Sequence, residues 1–237
     1  MRYKNIHKGI FLSRPNRFIA YVDIDGEEVK CHVKNTGRCR ELLVSGCTVY
    51  LEKSDDPARK TAYDLVAVVK NGRLINMDSQ APNKAVKEWL ENVKPFGDDM
   101  KVFPERTYGS SRFDFMLKSE VTGRTLYLEV KGCTLEQDGE VLFPDAPTER
   151  GLKHINELIK CREDGFEAAV LILVQMSDVK FFSPNDNTQP AFGEALLNAY
   201  KRGVKLLCYD CDVTPDTLTV KSPVEMHIGS EVLSGGF

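Results

Sequence analysis

Two stretches of sequence decide the fold of the C-terminal part of the chain: RFDFMLK at residues 112–118 and TLYLEVK at residues 125–131. Apolar and polar residues alternate in both, which is the pattern of β-strands that bury one face. A turn signal, Thr122-Gly123, lies between them, so the two stretches predict a hairpin. We expect this hairpin to supply two central strands of a sheet.

The polar residues of the hairpin are Asp114 in its first strand and Glu129 and Lys131 in its second. With an even number of residues in the loop, Asp114 lies opposite Glu129 or Lys131 and on the same face. The opposite, apolar face of the first strand is then formed by Phe113, Phe115 and Leu117.

Two carboxylates and one ammonium at this place are typical of a divalent-cation site. Carboxylate oxygens, completed by water and a substrate phosphate, form the usual shell of Mg²⁺ or Mn²⁺. Such an ion polarises a phosphodiester and lowers the pKa of a bound water, which Lys131 would orient. Asp114 and Glu129 are therefore candidate metal ligands. The alternatives are a solvated strand face for Glu129 and Lys131, and a structural acid that caps a turn for Asp114.

The elements around the hairpin extend it to the order α-β-β-β-α-β-α-β. Apolar spacing predicts helices at residues 81–93, 148–163 and 191–202. Further strands are expected at residues 101–107, 168–174 and 204–208, and the second of these is a continuous apolar run typical of a strand covered on both faces. The tail from Val213 is weakly patterned, and we expect it to fray.

Residues 1–80 differ from the rest because they predict only strands. Short strands are expected at residues 9–12, 18–24, 28–34, 48–52, 64–70 and 74–77. Asp25-Gly26 and Asn71-Gly72 are hairpin turn signals. Strands at this spacing with no helical period suggest a small barrel. We therefore expect a barrel over residues 1–80 and an α/β domain over residues 81–237, so that the whole chain is α+β.

Composition limits the function classes. The formal net charge is −3 over 237 residues, which excludes a strongly basic nucleic-acid binder as a description of the whole chain. The charge is divided unevenly, with +4 on residues 1–80 and −7 on residues 81–237. Hydrophobic residues at 42% and charged residues at 28% are typical of a soluble globular protein.

Other features bear on location. The 7 cysteines are scattered, which disfavours a secreted disulfide scaffold. The longest apolar run, residues 168–174, is far too short to span a membrane. The first eight residues lack the apolar segment of a signal peptide. We therefore expect a cytoplasmic protein without a membrane partner.

Together these motifs resemble a known family. The hairpin and its flanking elements are similar to the PD-(D/E)xK, restriction-endonuclease-like nuclease core. Four segments resemble the sugar fermentation stimulation protein A (SfsA) family more specifically: FPDAPTERGLKH at 143–154, SRFDF at 111–115, APN at 81–83 and NTGR at 35–38. The resemblance implies an N-terminal OB-fold barrel, a C-terminal three-layer α/β/α nuclease-like domain, and DNA as the partner. One departure is Thr36, where the family usually has proline, whose ring would fix φ.

The resemblance also implies roles for particular residues. Asp114, Glu129 and Lys131 match the nuclease motif as metal ligands and catalytic lysine, and Glu105 is a secondary ligand candidate. His154 is a candidate catalytic residue that touches the scissile phosphate or orients an acid, with a surface or supporting histidine as the alternative. For Asp145, between two prolines, we favour a turn role over metal binding.

Nucleic-acid contacts are expected mainly in the barrel, because an OB-fold binds strands through a basic groove with aromatic platforms. No acid interrupts residues 29–40, and the turn at residues 35–38 exposes backbone amides to a phosphate. The aromatics among the basic residues are mostly expected in the core. The candidate nucleic-acid-binding residues are Arg14, Arg17, Lys34, Asn35, Arg38, Arg40 and, on the C-terminal side, Arg150.

Two other functions remain open at this stage. One is a non-catalytic DNA-binding regulator linked to sugar (maltose) metabolism, and the other is an OB-fold module for a saccharide or a nucleotide. The Cys208-x-x-Cys211 spacing is a weak signal for zinc, because no second pair accompanies it. The sequence favours neither DNA over RNA nor one oligomeric state over another.

Overall fold

The N-terminal part of the chain is a closed β-barrel, as predicted. The computed structural model describes residues 1–35 and 37–237, so Thr36, the departure from the family pattern, lies outside the described residues. The barrel strands run in the order β3-β2-β1-β4-β5-β6, and a parallel β3–β5 pairing closes them. Their bounds are β1 (Ile6–Asn16), β2 (Ile19–Ile24), β3 (Glu27–Val33), β4 (Thr48–Lys53), β5 (Tyr63–Lys70) and β6 (Arg73–Asn76).

Both predicted barrel hairpins are confirmed. Asp25 and Gly26 have φ of 54° and 88°, and Asn71 and Gly72 have φ of 50° and 79°. Two consecutive left-handed residues form the turn whose twist matches that of paired strands, and Asp-Gly and Asn-Gly favour it. These turns join β2 to β3 and β5 to β6 in antiparallel register.

The C-terminal part is a three-layer α/β/α domain, and the predicted order of its main elements is confirmed. Its sheet has the order β15-β14-β12-β9-β8-β7. One face packs against α1 and the other against α2 and α3. The bounds are α1 (Ala81–Asn92), β7 (Met100–Tyr108), β8 (Ser111–Ser119), β9 (Thr125–Cys133), α2 (Glu149–Glu163), β12 (Glu167–Val174), α3 (Pro190–Lys201), β14 (Lys205–Val213) and β15 (Leu218–Pro223).

A second, smaller sheet was not predicted. It has the order β10-β11-β13-β16-β17, with bounds β10 (Leu135–Gln137), β11 (Glu140–Phe143), β13 (Phe181–Pro184), β16 (Glu225–Ile228) and β17 (Glu231–Leu233). The expectation that the tail after Val213 frays was therefore wrong. Its strands have only three to six residues, too few for alternation to show, and they are held by pairing with distant segments and by the buried Leu218, Met226 and Ile228. No helix in the described ranges is long and apolar enough to cross a membrane.

Residues 1–3 pack with the C-terminal domain rather than with the barrel. Arg2 forms a β-bridge with Thr217, and the flanking Met1 and Tyr3 are buried in the apolar cluster under α1. This is the first of the contacts that join the barrel to the C-terminal domain.

The second contact is a buried polar network. The Tyr3 hydroxyl donates to Asp78 at 3.2 Å and accepts from the Asn76 amide at 2.9 Å. Gln175, at the end of β12, donates through Nε2 to Asn76 Oδ1 at 2.9 Å and to the Asp78 carbonyl at 3.1 Å. Buried polar groups are stabilising only when they are paired in this way, so the network fixes how the two domains meet.

Candidate functional site

Strands β8 and β9 bring Asp114 beside Glu129. Their register runs from Lys118 opposite Thr125 to Phe115 opposite Leu128, and continuing it places Asp114 opposite Glu129. The Asp114 carboxylate accepts from the backbone N–H of Val130 at 2.8 Å and from the Asn83 amide on α1 at 2.7 Å. Asp114 is therefore fixed at the sheet by the neighbouring strand and by the first turn of α1.

One detail of the predicted hairpin is wrong. Phe115 packs under α1, but Phe113 lies on the other face, with its ring centroid 5.8 Å from that of Tyr127. The alternation breaks at Asp114, and the residue opposite it on β7, Glu105, has a φ of 51°. A left-handed residue in one strand kinks the pairing locally, so a period of two does not hold through this point.

Glu129 is the most buried acid of the site, with 3% of its surface exposed. Its Oε1 lies 2.6 Å from Nδ1 of His154 and also contacts Nζ of Lys131. A carboxylate only accepts hydrogen bonds, so Nδ1 of His154 carries the proton. Its other oxygen, Oε2, is buried without a hydrogen-bond partner among the described residues.

The pKa directions of the two acids differ. Burial raises the pKa of Asp114, and the nearby Glu129 carboxylate raises it further, against the hydrogen bonds from Val130 and Asn83. Burial acts in the same direction on Glu129, but the hydrogen bond from His154 and the charge of Lys131 outweigh it and hold the pKa of Glu129 below its usual value. The two pKa shifts are therefore opposite, because the hydrogen-bond donors of Glu129 are a histidine and a lysine, whereas those of Asp114 are neutral amides.

His154 reaches Glu129 from α2, which the sequence positions locally. Thr148 caps the helix by accepting from the N–H of Gly151 at 3.0 Å. His154 is 4% exposed, and its ring packs edge-on against Phe113 at 5.8 Å. His154 is therefore not a surface residue but is buried against the Glu129 carboxylate, as a supporting histidine would be, and its part in catalysis stays a prediction.

Glu105 is not brought to this site. It lies opposite Asp114 in register, but its carboxylate is 67% exposed and approaches Arg112 at 3.6 Å. Within the described ranges, no group of three His, Cys, Asp or Glu side chains is placed to hold a metal ion. This corrects the expectation of a third protein ligand, because the left-handed backbone at Glu105 turns its side chain towards solvent. Asp145 is exposed in the turn before α2.

A second candidate site is an arginine-lined groove on the barrel, with a volume of about 540 Å³. Arg17, Arg38 and Arg40 are exposed along it. Arg14 is half-buried and donates to the carbonyls of Arg38 at 2.8 Å, of Arg17 at 2.8 Å and of Asn35 at 2.7 Å. Arg14 thus holds the loops that carry the exposed arginines, and Ala146 of the C-terminal domain closes one end of the groove.

Lys34 does not belong to this groove, which corrects its predicted role. Its Nζ lies 2.9 Å from Asp64, 3.7 Å from Asp78 and 3.8 Å from Glu52. Only 15% of its side chain is exposed. Three carboxylates within 4 Å neutralise the charge of this ammonium, so it is not available to bind a phosphate.

The other predicted nucleic-acid contacts are distributed around the domain junction. The Asn35 amide donates to the Met77 carbonyl at 3.0 Å and accepts from the N–H of Gly37 at 2.8 Å, so it shapes the turn at the edge of the groove. Arg150 is exposed in the first turn of α2 and lies outside the groove lining. Cys208 and Cys211 are both buried, as expected of core residues.

Sequence reasoning missed two polar residues, one at the candidate metal centre and one at the domain junction. Asn83 donates to Asp114. It belongs to the APN segment, which indicated the family but to which the sequence assigned no role in the site. Gln175 follows the buried strand β12, and an isolated polar residue directly after seven apolar ones is the signal that indicates it.

Comparison with known proteins identifies the family to which this chain belongs. The family model described as "Sugar fermentation stimulation protein RE domain" matches residues 80–217, and "SfsA N-terminal OB domain" matches residues 12–77. The chain belongs to the sugar fermentation stimulation protein family. A homolog of that name from Desulfitobacterium hafniense is 55% identical over 92% of this chain and 94% of its own length. One from Ruminiclostridium cellulolyticum is 49% identical over 96% of this chain and 100% of its own length.

A solved structure from the same family has the same fold. Pyrococcus furiosus SfsA in complex with Ca²⁺ superposes with a TM-score of 0.86 at 26% identity, covering 96% of this chain and 98% of that one. The predicted family and the predicted fold class are therefore confirmed.

Proposed function

We propose that this protein binds DNA in the arginine groove and hydrolyses a phosphodiester at Asp114 and Glu129 with a divalent cation, Mg²⁺ or Mn²⁺. The observation that carries the proposal is the buried Glu129 Oε2, which has no partner in the described residues and lies beside a second carboxylate. An unpaired buried acceptor is costly unless a cation or donor satisfies it.

The donor set fits such an ion. Two carboxylates with water and substrate phosphate are a usual way for proteins to hold Mg²⁺, which retains several waters. That the Pyrococcus furiosus relative was solved with Ca²⁺ supports a divalent cation at this family's sites. When bound, the ion would supply a polarised phosphate and a water of lowered pKa.

The protein's own residues have distinct parts in this proposal. Asp114 and Glu129 hold the ion, and Asn83 and His154 keep these two carboxylates in place. Lys131 contacts Glu129 in the described structure and, with the ion neutralising that carboxylate, its ammonium orients the attacking water. The exposed guanidinium groups of Arg17 and Arg40 fix the strand by its phosphates.

An exposed aromatic side chain next to the groove supports strand binding there. Phe18 is 51% exposed, and the guanidinium of Arg17 lies 5.9 Å from its ring centroid. Aromatic side chains beside basic groups are the platforms on which proteins stack unpaired bases. Phe11 and Tyr3, which share the same basic stretch, are buried in the core.

Cleavage assays test the proposal directly. Plasmid and single-stranded DNA are incubated with the protein and Mg²⁺ or Mn²⁺, and the variants Asp114→Asn and Lys131→Met are compared with Asp98→Asn, whose side chain is 98% exposed. We expect the first two to lose at least about 100-fold in rate, the scale of a lost catalytic group, and the control to keep it. Cleavage that survives both variants would come from a contaminant and would refute the assignment.

One observation favours DNA binding without cleavage as a second function. Lys131 forms an ion pair with Glu129, and this pair neutralises both groups without a metal ion. Calorimetry with Ca²⁺ separates the two: heat of binding that is lost in Glu129→Gln supports the metal site, whereas DNA binding indifferent to any cation and to Glu129→Gln supports the regulator.

A further inference from the structure

A cavity at the junction of the two domains lies next to the candidate metal centre. Its volume is about 110 Å³, and it is partly open to solvent. Gly132, which directly follows Lys131 on β9, forms part of its wall. A Cβ at Gly132 would lie 2.8 Å from Pro82, and the next residue of α1, Asn83, donates to Asp114, so the cavity lies on the α1 side of the candidate metal centre.

The same two loops line the cavity and the arginine groove. Asn35 and Asp145 line the cavity, and Gly37 and Ala146, two and one residues further along the chain, line the groove. A Cβ at Gly37 would lie 2.6 Å from Asp145 Oδ2, so the two loops touch at this point. The cavity and the groove are therefore neighbouring sites on the same side of the domain junction.

The cavity wall is rich in hydrogen-bond acceptors. Gln175 Nε2 is occupied by Asn76 and Asp78, which directs Oε1 towards Gly132, where a Cβ would lie only 2.5 Å from it. Asp145 adds an exposed carboxylate, and the Thr134 hydroxyl also lines the cavity. Because amide and carboxylate oxygens accept, this wall matches a ligand that presents N–H groups.

The size and the remaining lining match one flat ring. A closed cavity of about 150 Å³ holds benzene, and this cavity, at about 110 Å³ with one open side, is closer in size to a single ring than to a fused pair. Phe143, held by an aromatic contact with Phe192 at 5.1 Å, offers an apolar surface beside the acceptors. Enzymes that take a base out of a stack read it with such a combination of polar edge and apolar wall.

We propose that this cavity receives a single unpaired cytosine base of the bound strand, whose neighbouring phosphate lies at Asp114 and Glu129. The exocyclic amino group of cytosine faces the acceptors Gln175 Oε1 and Asp145, as carboxylates accept from this group in other complexes. The inference rests on the proposed function and names its substrate: nucleic acid with an unpaired pyrimidine next to the scissile bond.

Binding of labelled duplexes in Ca²⁺, followed by fluorescence anisotropy, tests this. The duplexes carry one bulged cytosine, one bulged thymine, one bulged abasic site or no bulge. We expect the bulged cytosine to bind about five- to tenfold more tightly than the abasic bulge, as one or two hydrogen bonds provide. Thr134→Val and Asp145→Ala should each reduce this ratio, while Asp98→Ala, which removes an acid with 98% of its side chain exposed, should keep it.

The outcomes separate this inference from the proposed function. Equal binding of all four duplexes that still weakens in Arg40→Ala leaves the proposed function standing and refutes the base cavity. A preference that persists in both cavity variants, or that thymine satisfies equally, also refutes it. Loss of the preference with a free hexose but not with cytidine would assign the cavity to a saccharide. Failure of every duplex to bind refutes both proposals.

Discussion

Asp64 in the barrel and Glu129 in the C-terminal sheet have almost the same surroundings. Each is 3% exposed, and each contacts a histidine Nδ1 and a lysine Nζ. They differ in their remaining partners. Arg59 donates to both oxygens of Asp64, at 3.0 and 2.6 Å, whereas Glu129 has one buried oxygen without a partner in the described chain and a second carboxylate, Asp114, beside it.

This difference is what would distinguish a structural acid from one that holds a cation. Burial raises the pKa of Asp64, but Arg59 and Lys34 outweigh it and hold that pKa below its usual value. All its hydrogen-bonding capacity is used within the barrel. The pair at β8 and β9 has negative charge in excess of its partners, which is the condition under which a cation binds.

Removing Asp64 should have the largest effect of the changes that test this comparison. Asp64→Ala leaves Arg59 and the mostly buried Lys34 without their shared partner, and breaking a buried ion pair in this way costs about 3–5 kcal/mol. Glu129→Ala should cost less than half of that, because it also removes the orphaned oxygen and the repulsion of Asp114. Chemical unfolding followed by circular dichroism measures both.

Glu27→Ala, an exposed acid at the start of β3, is the matched control for that experiment. It should leave the unfolding midpoint unchanged. Equal losses for Asp64→Ala and Glu129→Ala would mean that the two clusters are alike and that both are structural.

Salt dependence of DNA binding should separate the free arginines from the neutralised lysine. Each phosphate contact contributes about 0.9 to the slope of log affinity against log salt. Arg40→Ala should reduce the slope by about that amount. Lys34→Met should leave the slope unchanged and lower the melting temperature, because its charge is used by Asp64, Asp78 and Glu52. A reduced slope in Lys34→Met would show that Lys34 contacts the DNA and would contradict this prediction.

The smallest effect is expected at Asp114, and it has the opposite sign. A carboxyl whose pKa is raised on folding favours the folded state at low pH, and this contribution is lost as the pH rises through the folded pKa. At neutral pH without divalent cations, Asp114→Asn should therefore raise the melting temperature, by about 2–4 °C for a gain of 1 kcal/mol. The gain should disappear on acidification.

Added Ca²⁺ sharpens this last test. It should raise the melting temperature of the unmodified protein, because a ligand that binds only the folded state stabilises it, and it should leave Asp114→Asn unaffected. A variant that melts earlier than the unmodified protein at neutral pH would show that Asp114 is structural, like Asp64.

Much of the fold follows from local patterns. The two hairpin turns depend only on Asp25-Gly26 and Asn71-Gly72, and buried residues alternate along β2, one of the strands that they join. The C-terminal order follows from one buried run, residues 168–174, and from helical spacing. The pairing of Asp114 with Glu129 came from counting residues along the hairpin.

The parts that the sequence did not predict depend on contacts between distant segments. Lys34 and Arg38 lie in the same acid-free stretch of sequence, residues 29–40. Only the closure of the barrel places Lys34 against three acids. The strands β16 and β17 form because β13 offers them an edge. The kink at Asp114 arises from a left-handed residue, Glu105, on the neighbouring strand, which no rule of alternation reveals.

The bridge between residues 1–3 and β15 has a consequence for how the chain reaches its fold. The buried backbone contact of Met1 with Leu218 spans 217 positions. Contacts this distant form slowly, because the entropy of closing the loop is lost before the contact is gained. On the ribosome the barrel strands emerge first and can pair among themselves. The contacts of Tyr3 and Asn76 with the C-terminal domain form only after Gln175 and β15 have been synthesised. Completion of the domain junction, and with it of the cavity wall at Gln175, is therefore a late step of synthesis, whereas Asp114, Glu129 and the residues that hold them, Asn83 and His154, have already left the ribosome.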